Sequence, residues 1–174
     1  ITSPKRSKLI RNSCIFCQIV DNRKIGWGTY PEIILKAINC PSYLNSSAID
    51  EFLIIFLIAA KSKGISYFKN LSELNKKESP RLKLGSKILN MIGIKTKLTK
   101  NSIKIYGNPN LKINKKIIIK NYLKDHRVFM TSVIAGFSFG GSWEIHDKDS
   151  VKTSFPDFFK IIKILKKWLK EKIF

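Results

Sequence analysis

The chain has 174 residues, a formal net charge of +21, and a hydrophobic fraction of 44 % that includes 11 % aromatic residues. That apolar content suits one domain with a real core and argues against disorder. Three cysteines do not make a disulfide-stapled scaffold, and the longest apolar run, Phe52 to Ala60, falls far short of the ~20 residues that cross a bilayer.

Residues Ile1 to Tyr30 are poorly patterned and carry a basic cluster from Lys5 to Arg11. From Pro31 to Phe174 the chain reads as one domain. Glu32 to Ile38 predicts a strand, and Cys40 to Ser47 a loop. Asp50 to Lys63 predicts a helix capped by Ser47 or Asp50 and stopped by Gly64. Ile65 to Lys69 alternates as a strand. Pro80 suits the first turn of a helix that runs to Ile92, with Gly93 at its end. Ile94 to Thr99 and Ile103 to Tyr106 predict two strands about a turn. The order then restarts: strand Ile117 to Lys120, helix Asp125 to Phe139, strand Trp143 to His146 and helix Pro156 to Lys170. The result is βαβαββ followed by βαβα, an α/β class in which helices cover sheets.

The charge predicts an anionic partner. The lysines, however, are spread along the chain, as in an AT-rich coding bias. No RNP-type aromatic motif, zinc-finger spacing or G-x-x-G loop accompanies them. A basic nucleic-acid-binding module is therefore kept only as the alternative. The N-terminus is basic and polar without an apolar stretch, so a cytoplasmic location is expected. The chain opens on Ile1 rather than Met and is expected to be part of something longer.

Three helix starts gather ionisable groups: Asp50-Glu51, Lys77-Glu78 with Arg81, and Asp125-His126-Arg127. Helix N-termini favour anions, and arginine forks bind carboxylate or phosphate. A carboxylate beside cations can serve as general acid or base. Each cluster alone also has a plain reading as a cap or a solvated face. Three at successive βα junctions can converge on one face.

These residues carry a family resemblance. Ser47-Ala48-Ile49-Asp50-Glu51-Phe52 resembles the D-E-F/Y loop and helix of the 5-enolpyruvylshikimate-3-phosphate synthases. Leu74 to Leu82, with Lys77-Glu78-Ser79-Pro80-Arg81-Leu82, resembles their K-E-S-D-R-L signature. Asp125-His126-Arg127-Val128-Phe129-Met130 resembles D-H-R-x-x-M, and Ser154-Phe155-Pro156-Asp157-Phe158 resembles S-F-P-x-F. The four occur in the family's order from roughly Pro31 to Lys166, the part that corresponds to its C-terminal domain.

The resemblance implies one half of a two-domain fold built from βαβαββ units, with the active site in the cleft between halves. It implies transfer of the enolpyruvyl group of phosphoenolpyruvate to shikimate 3-phosphate with release of phosphate, in the route to chorismate and aromatic amino acids. By it, Asp50 holds and deprotonates the attacking hydroxyl, and Lys77 contacts shikimate 3-phosphate or relays a proton. Glu78 moves a proton at the methylene carbon. Arg81 and Arg127 bind phosphoenolpyruvate, and His126 orients the site. No metal or organic cofactor is implied. An N-terminal enolpyruvyl transferase domain is the implied partner, so this chain alone is expected to be an inactive half-site. Pro80 stands where the family usually has Asp, and Thr153 where many members have Lys.

Two other resemblances are weaker. UDP-N-acetylglucosamine enolpyruvyl transferases share the fold and phosphoenolpyruvate, but the Lys77-Glu78 pair and His126 do not suit them. Cys14-Ile15-Phe16-Cys17 resembles the start of histidine-triad hydrolases, yet His126 and His146 are the only histidines. A zinc site using Cys14, Cys17 and Cys40 is disfavoured for the same lack of ligands. In the last helix, Phe158, Ile161, Ile162, Leu165, Trp168 and Leu169 form a stripe expected to pack on a sheet, with the lysines in water. A basic amphipathic helix on a membrane is the lesser reading.

Overall fold

The computed structural model describes residues 35–173, with side chains to residue 167. The basic N-terminal segment, the Cys14–Cys17 pair and residues 32–34 of the first expected strand lie outside the described residues. So do the side chains of Trp168, Leu169 and Lys170.

Residues 35–38 do not form the expected strand; they make one parallel bridge, Lys36 to Lys63. Helix α1, Phe52–Ala60, is apolar at every position and nearly all of it is buried, as befits a central helix. It is shorter than the Asp50–Lys63 reading. Ile49–Glu51 form a 3-10 turn instead. At the other end, the Lys63 N–H donates to Leu35 O and the Lys63 carbonyl accepts from the Ala37 N–H. Those bonds draw the chain away from helical geometry.

Strand β1, Gly64–Phe68, leads through a 3-10 turn, Ser72–Lys76, to helix α2, Arg81–Met91. Two strands follow, β2, Thr96–Leu98, and β3, Ile103–Gly107. They complete an antiparallel sheet in the order β1-β3-β2. Phe68, Ile103 and Ile105 are buried, and Phe52, Phe56 and Phe68 meet with ring centroids 5.6–6.0 Å apart. The aromatic cluster thus locks α1 to the sheet. Gly85 lets α2 approach α1 closely, because a Cβ there would meet Phe56 Cδ2 at 2.9 Å.

Strand β4, Lys116–Ile119, helix α3, His126–Phe139, and strand β5, Ser142–Ile145, form a parallel crossover unit. Helix α4, Phe158–Ile173, comes last. The expected packing of its stripe on a sheet is corrected here for the described residues, 158–167. Phe158 is buried and Ile162 touches the core, but Phe159, Ile161, Ile164 and Leu165 are exposed. The reason lies in the neighbours: α1 and α2 pack on the first sheet and α3 on the second. Among the described residues, helix α4 therefore meets the body through Phe158, Phe159 and Ile162, with Phe129 touching Phe158 and Phe159 edge-on. Among the described residues, no helix is long and apolar enough to cross a membrane.

Candidate active site

Three connections bring the ionisable groups to one place. Asp50 and Glu51 sit on the 3-10 turn that runs into α1. Lys77 follows the next 3-10 turn in extended geometry, and Pro80 caps α2 so that Arg81 is its first residue. Asn121, Leu123 and Lys124 all have φ of 54–58°, a left-handed run that Asn tolerates but Leu and Lys adopt only when their surroundings impose it. Tyr122, buried in the middle of that run, anchors it by donating its hydroxyl to the His146 carbonyl. The loop thus delivers Asp125 to the N-cap of α3, where its side chain accepts from the Arg127 N–H at 2.9 Å.

Arg81 is the centre of the cluster. Its Nε donates to Asp125 Oδ2 at 2.8 Å, and its Nη2 to Asp125 Oδ1 at 3.3 Å. Nη1 donates to Asp50 Oδ1 at 2.8 Å, and Nη2 also to Glu78 Oε2 at 2.9 Å. Lys77 Nζ stands 3.6 Å from Asp50 Oδ1. His126 Nδ1 lies 3.3 Å from Glu78 Oε2. Arg127 Nη1 reaches Glu51 Oε1 at 2.8 Å. The six residues singled out from the sequence, Asp50, Lys77, Glu78, Arg81, His126 and Arg127, therefore lie in one cluster, five of them in direct contact and Arg127 beside them.

A guanidinium has five N–H donors. Four of those on Arg81 are taken by carboxylates, which leaves one on Nη1. Arg81 can thus grip a substrate carboxylate bidentately only if Asp50 or Glu78 yields. Arg127, half-buried and paired with an exposed Glu51, is the more accessible fork.

The electrostatics follow from these contacts. Burial pushes the Asp50 carboxyl up, but Lys77, Arg127 and Arg81 outweigh it and hold the group below the ordinary carboxylate range. Burial acts harder on Asp125, yet the hydrogen bonds from Arg81 and Ser79 hold it down as well. Burial opposes the charge on Arg81, and Asp125, Glu78 and Asp50 restore it. Glu78, Asp125 and His126 place ligand atoms within 4.8 Å of one another. The Arg81 guanidinium already bonds both of those carboxylates, so the donor set is matched to a fixed cation rather than to a metal ion.

The sequence shows Ser79 within the Lys77–Leu82 motif but gives no sign of its role; its hydroxyl donates to Asp125 Oδ2 at 2.6 Å. Nor does the sequence reveal Glu51 as the partner of Arg127. Asp125 stands in the sequence among the ionisable groups at a helix start and opens the D-H-R motif, with no role assigned to it there beyond a cap. Lys152 pairs with Asp149 at 2.9 Å, and His146 Nε2 contacts Glu144 at 3.0 Å.

A family model described as EPSP synthase (3-phosphoshikimate 1-carboxyvinyltransferase) matches residues 24–162. The 3-phosphoshikimate 1-carboxyvinyltransferase of Ruthia magnifica is 39 % identical over 127 residues, which are 73 % of this chain and 28 % of that protein. The protein of the same name from Clostridium tetani is 37 % identical over 134 residues, 73 % of this chain and 30 % of that one. The structure of EPSP synthase from Acinetobacter baumannii matches with a TM-score of 0.67 at 32 % identity, covering 75 % of this chain and 30 % of that chain. The chain thus spans only 28–30 % of the length of these relatives.

Proposed function

This chain belongs to the EPSP synthase family, and from that we propose that it supplies one side of the cleft in which the enolpyruvyl group passes from phosphoenolpyruvate to shikimate 3-phosphate. We assign it to the C-terminal domain, with the rest of the cleft coming from an N-terminal enolpyruvyl transferase domain. The hydroxyl oxygen of shikimate 3-phosphate bonds to the central carbon of phosphoenolpyruvate, and the methylene carbon takes a proton. The carbon–oxygen bond to phosphate then breaks, the methyl group returns a proton, and phosphate leaves.

Asp50 accepts the hydroxyl proton, and Lys77 beside it holds the carboxylate ready. Glu78 moves the proton at the methylene carbon, with His126 on its other side. Arg127 binds the phosphoenolpyruvate carboxylate, and the remaining Arg81 N–H assists. Anion binding and proton transfer need these groups within a few ångströms of each other. The observation that carries the reading is their convergence from three separate connections, with Asp50, Glu78 and Asp125 bonded to the Arg81 guanidinium and Lys77, His126 and Arg127 around them.

The test is phosphate release from phosphoenolpyruvate plus shikimate 3-phosphate, with this chain mixed with the N-terminal domain of a close relative. Release that requires both pieces is expected. No release from a folded, associated pair would overturn the assignment of activity.

A further inference from the structure

We infer that Asp125 is a positioning residue: a buried carboxylate that fixes the Arg81 guanidinium so that its outer nitrogens hold Asp50 and Glu78 in place. The inference rests on the reading that Asp50 and Glu78 move protons, and it adds how they are aimed.

Asp125 makes four contacts. Oδ2 accepts from Ser79 Oγ at 2.6 Å and from Arg81 Nε at 2.8 Å; Oδ1 accepts from Arg81 Nη2 at 3.3 Å and from the Arg127 N–H at 2.9 Å. These use the lone pairs a carboxylate offers. Its side chain is wholly buried, so it acts through its neighbours rather than on a substrate. A cap alone would need only the Arg127 contact, for which Ser or Asn would serve as well.

The additional contacts make a side-on clamp along the Nε–Nη2 edge of Arg81. The guanidinium is planar and rigid. Fixing one edge therefore fixes where the remaining N–H groups point, at Asp50 and Glu78. Those two carboxylates are otherwise exposed, with side-chain accessibilities of 44 % and 54 %. Without the fork each would sample several rotamers, and alignment with a reacting atom would be lost. The clamp also ties the turn before α2 to the cap of α3, which carries His126 and Arg127.

The experiment follows the Asp50 carboxyl by carbon NMR through a pH titration of this chain. The charges facing it are Lys77, Arg81 and Arg127. Removing a neighbouring negative charge without movement would lower the Asp50 titration point. Losing the clamp on Arg81 would raise it. In Asp125→Asn, which keeps an oxygen for the cap, the titration is expected to rise by at least about half a pH unit. Ser79→Ala removes one hydrogen bond and no charge, and should move Asp50 in the same direction by less. It also serves if Asp125→Asn does not fold. A titration unmoved or lowered in a folded variant overturns the inference. In the two-piece assay, Asp125→Asn should lower kcat by about 100-fold with both KM values within about 3-fold. A loss confined to KM also overturns it. Absence of phosphate release by the unaltered chain would sink the reaction but not the positioning, which the titration reads directly.

Discussion

Arg81 and Asp125 are 44 positions apart in sequence and meet at 2.8 Å with side chains 3 % and 0 % exposed. No other ion pair among the described residues is so fully withdrawn from water. The pair joins the start of α2 to the start of α3. Its removal should therefore disturb the fold as well as the site.

Arg81→Met tests that. The substitution keeps much of the stem's packing but strands Asp125 without its counter-charge. Breaking a buried pair from one side typically costs about 3–5 kcal/mol, and a loss of that size is expected in urea unfolding at pH 7. A loss below about 1 kcal/mol would mean that Asp125 is solvated or neutral in the fold. Arg81→Lys should recover part of the stability, because an ammonium supplies charge but not the fork.

Acid should weaken the fold by a related route. Asp50 and Asp125 both titrate lower in the folded chain than the ~3.9 of an unfolded aspartate. As the pH falls, the unfolded chain takes up these protons first, so the equilibrium moves toward it. The stability they contribute is complete above the unfolded value and is lost as pH falls through the folded ones. Urea midpoints should hold from pH 7 to about 5 and then drop toward pH 3. Asp125→Asn should start less stable and fall less steeply. An equal acid slope in that variant would count against Asp125 as a contributor.

The elements and the cluster were legible to different extents in the sequence, for reasons visible at particular residues. Helix α3 was clear because its pattern is local: an acid at the cap, an amphipathic run, and Gly140-Gly141 after it. Helix α1 is shorter than the Asp50–Lys63 span the sequence predicts, since nothing nearby reveals that Lys63 bonds back to residues 35–37. Strand β2 begins only at Thr96 because Gly93, with φ of 96°, turns Ile94 into the core. In α4 the stripe is real, but periodicity says which residues share a face and not what the face meets. The candidate site residues stand out in the sequence as ionisable groups at three helix starts, and the motif resemblance supplies their expected roles. The hub at Arg81 does not stand out, because two of its partners, Asp50 and Asp125, lie 31 and 44 positions away, and Ser79 carries no signal that it would donate to Asp125.

Gly107 supplies a prediction about packing. It ends β3 opposite Gly64, and a Cβ built on it would sit 2.0 Å from the Ser62 carbonyl oxygen and 2.5 Å from that of Ala59. Both are backbone atoms at the end of α1 and cannot rotate aside. Gly107→Ala should cost about 3 kcal/mol, the upper end for overpacking. Gly93→Ala meets nothing within 4 Å and should cost only the strain of its positive φ, about 1 kcal/mol. Thermal unfolding of the two variants side by side gives the comparison. Equal losses would mean that the close approach at Gly107 relaxes without resistance.

Glu51 and Arg127 offer the opposite case to the buried pair. Their side chains are 59 % and 30 % exposed, and an exposed ion pair is worth at most about 1 kcal/mol. Glu51→Gln should therefore change unfolding free energy by less than about 0.5 kcal/mol. Its effect should fall on binding. The Glu51 carboxylate occupies a donor on the arginine assigned to phosphoenolpyruvate, so an incoming carboxylate must displace it or share it. With glutamine there, the competition is weaker, and the KM for phosphoenolpyruvate in the two-piece enzyme should fall by about 2-fold, within what such a pair can withhold. The KM for shikimate 3-phosphate should stay where it is. Weaker phosphoenolpyruvate binding would reverse the reading, because Glu51 would then be holding Arg127 in its productive orientation rather than competing for it.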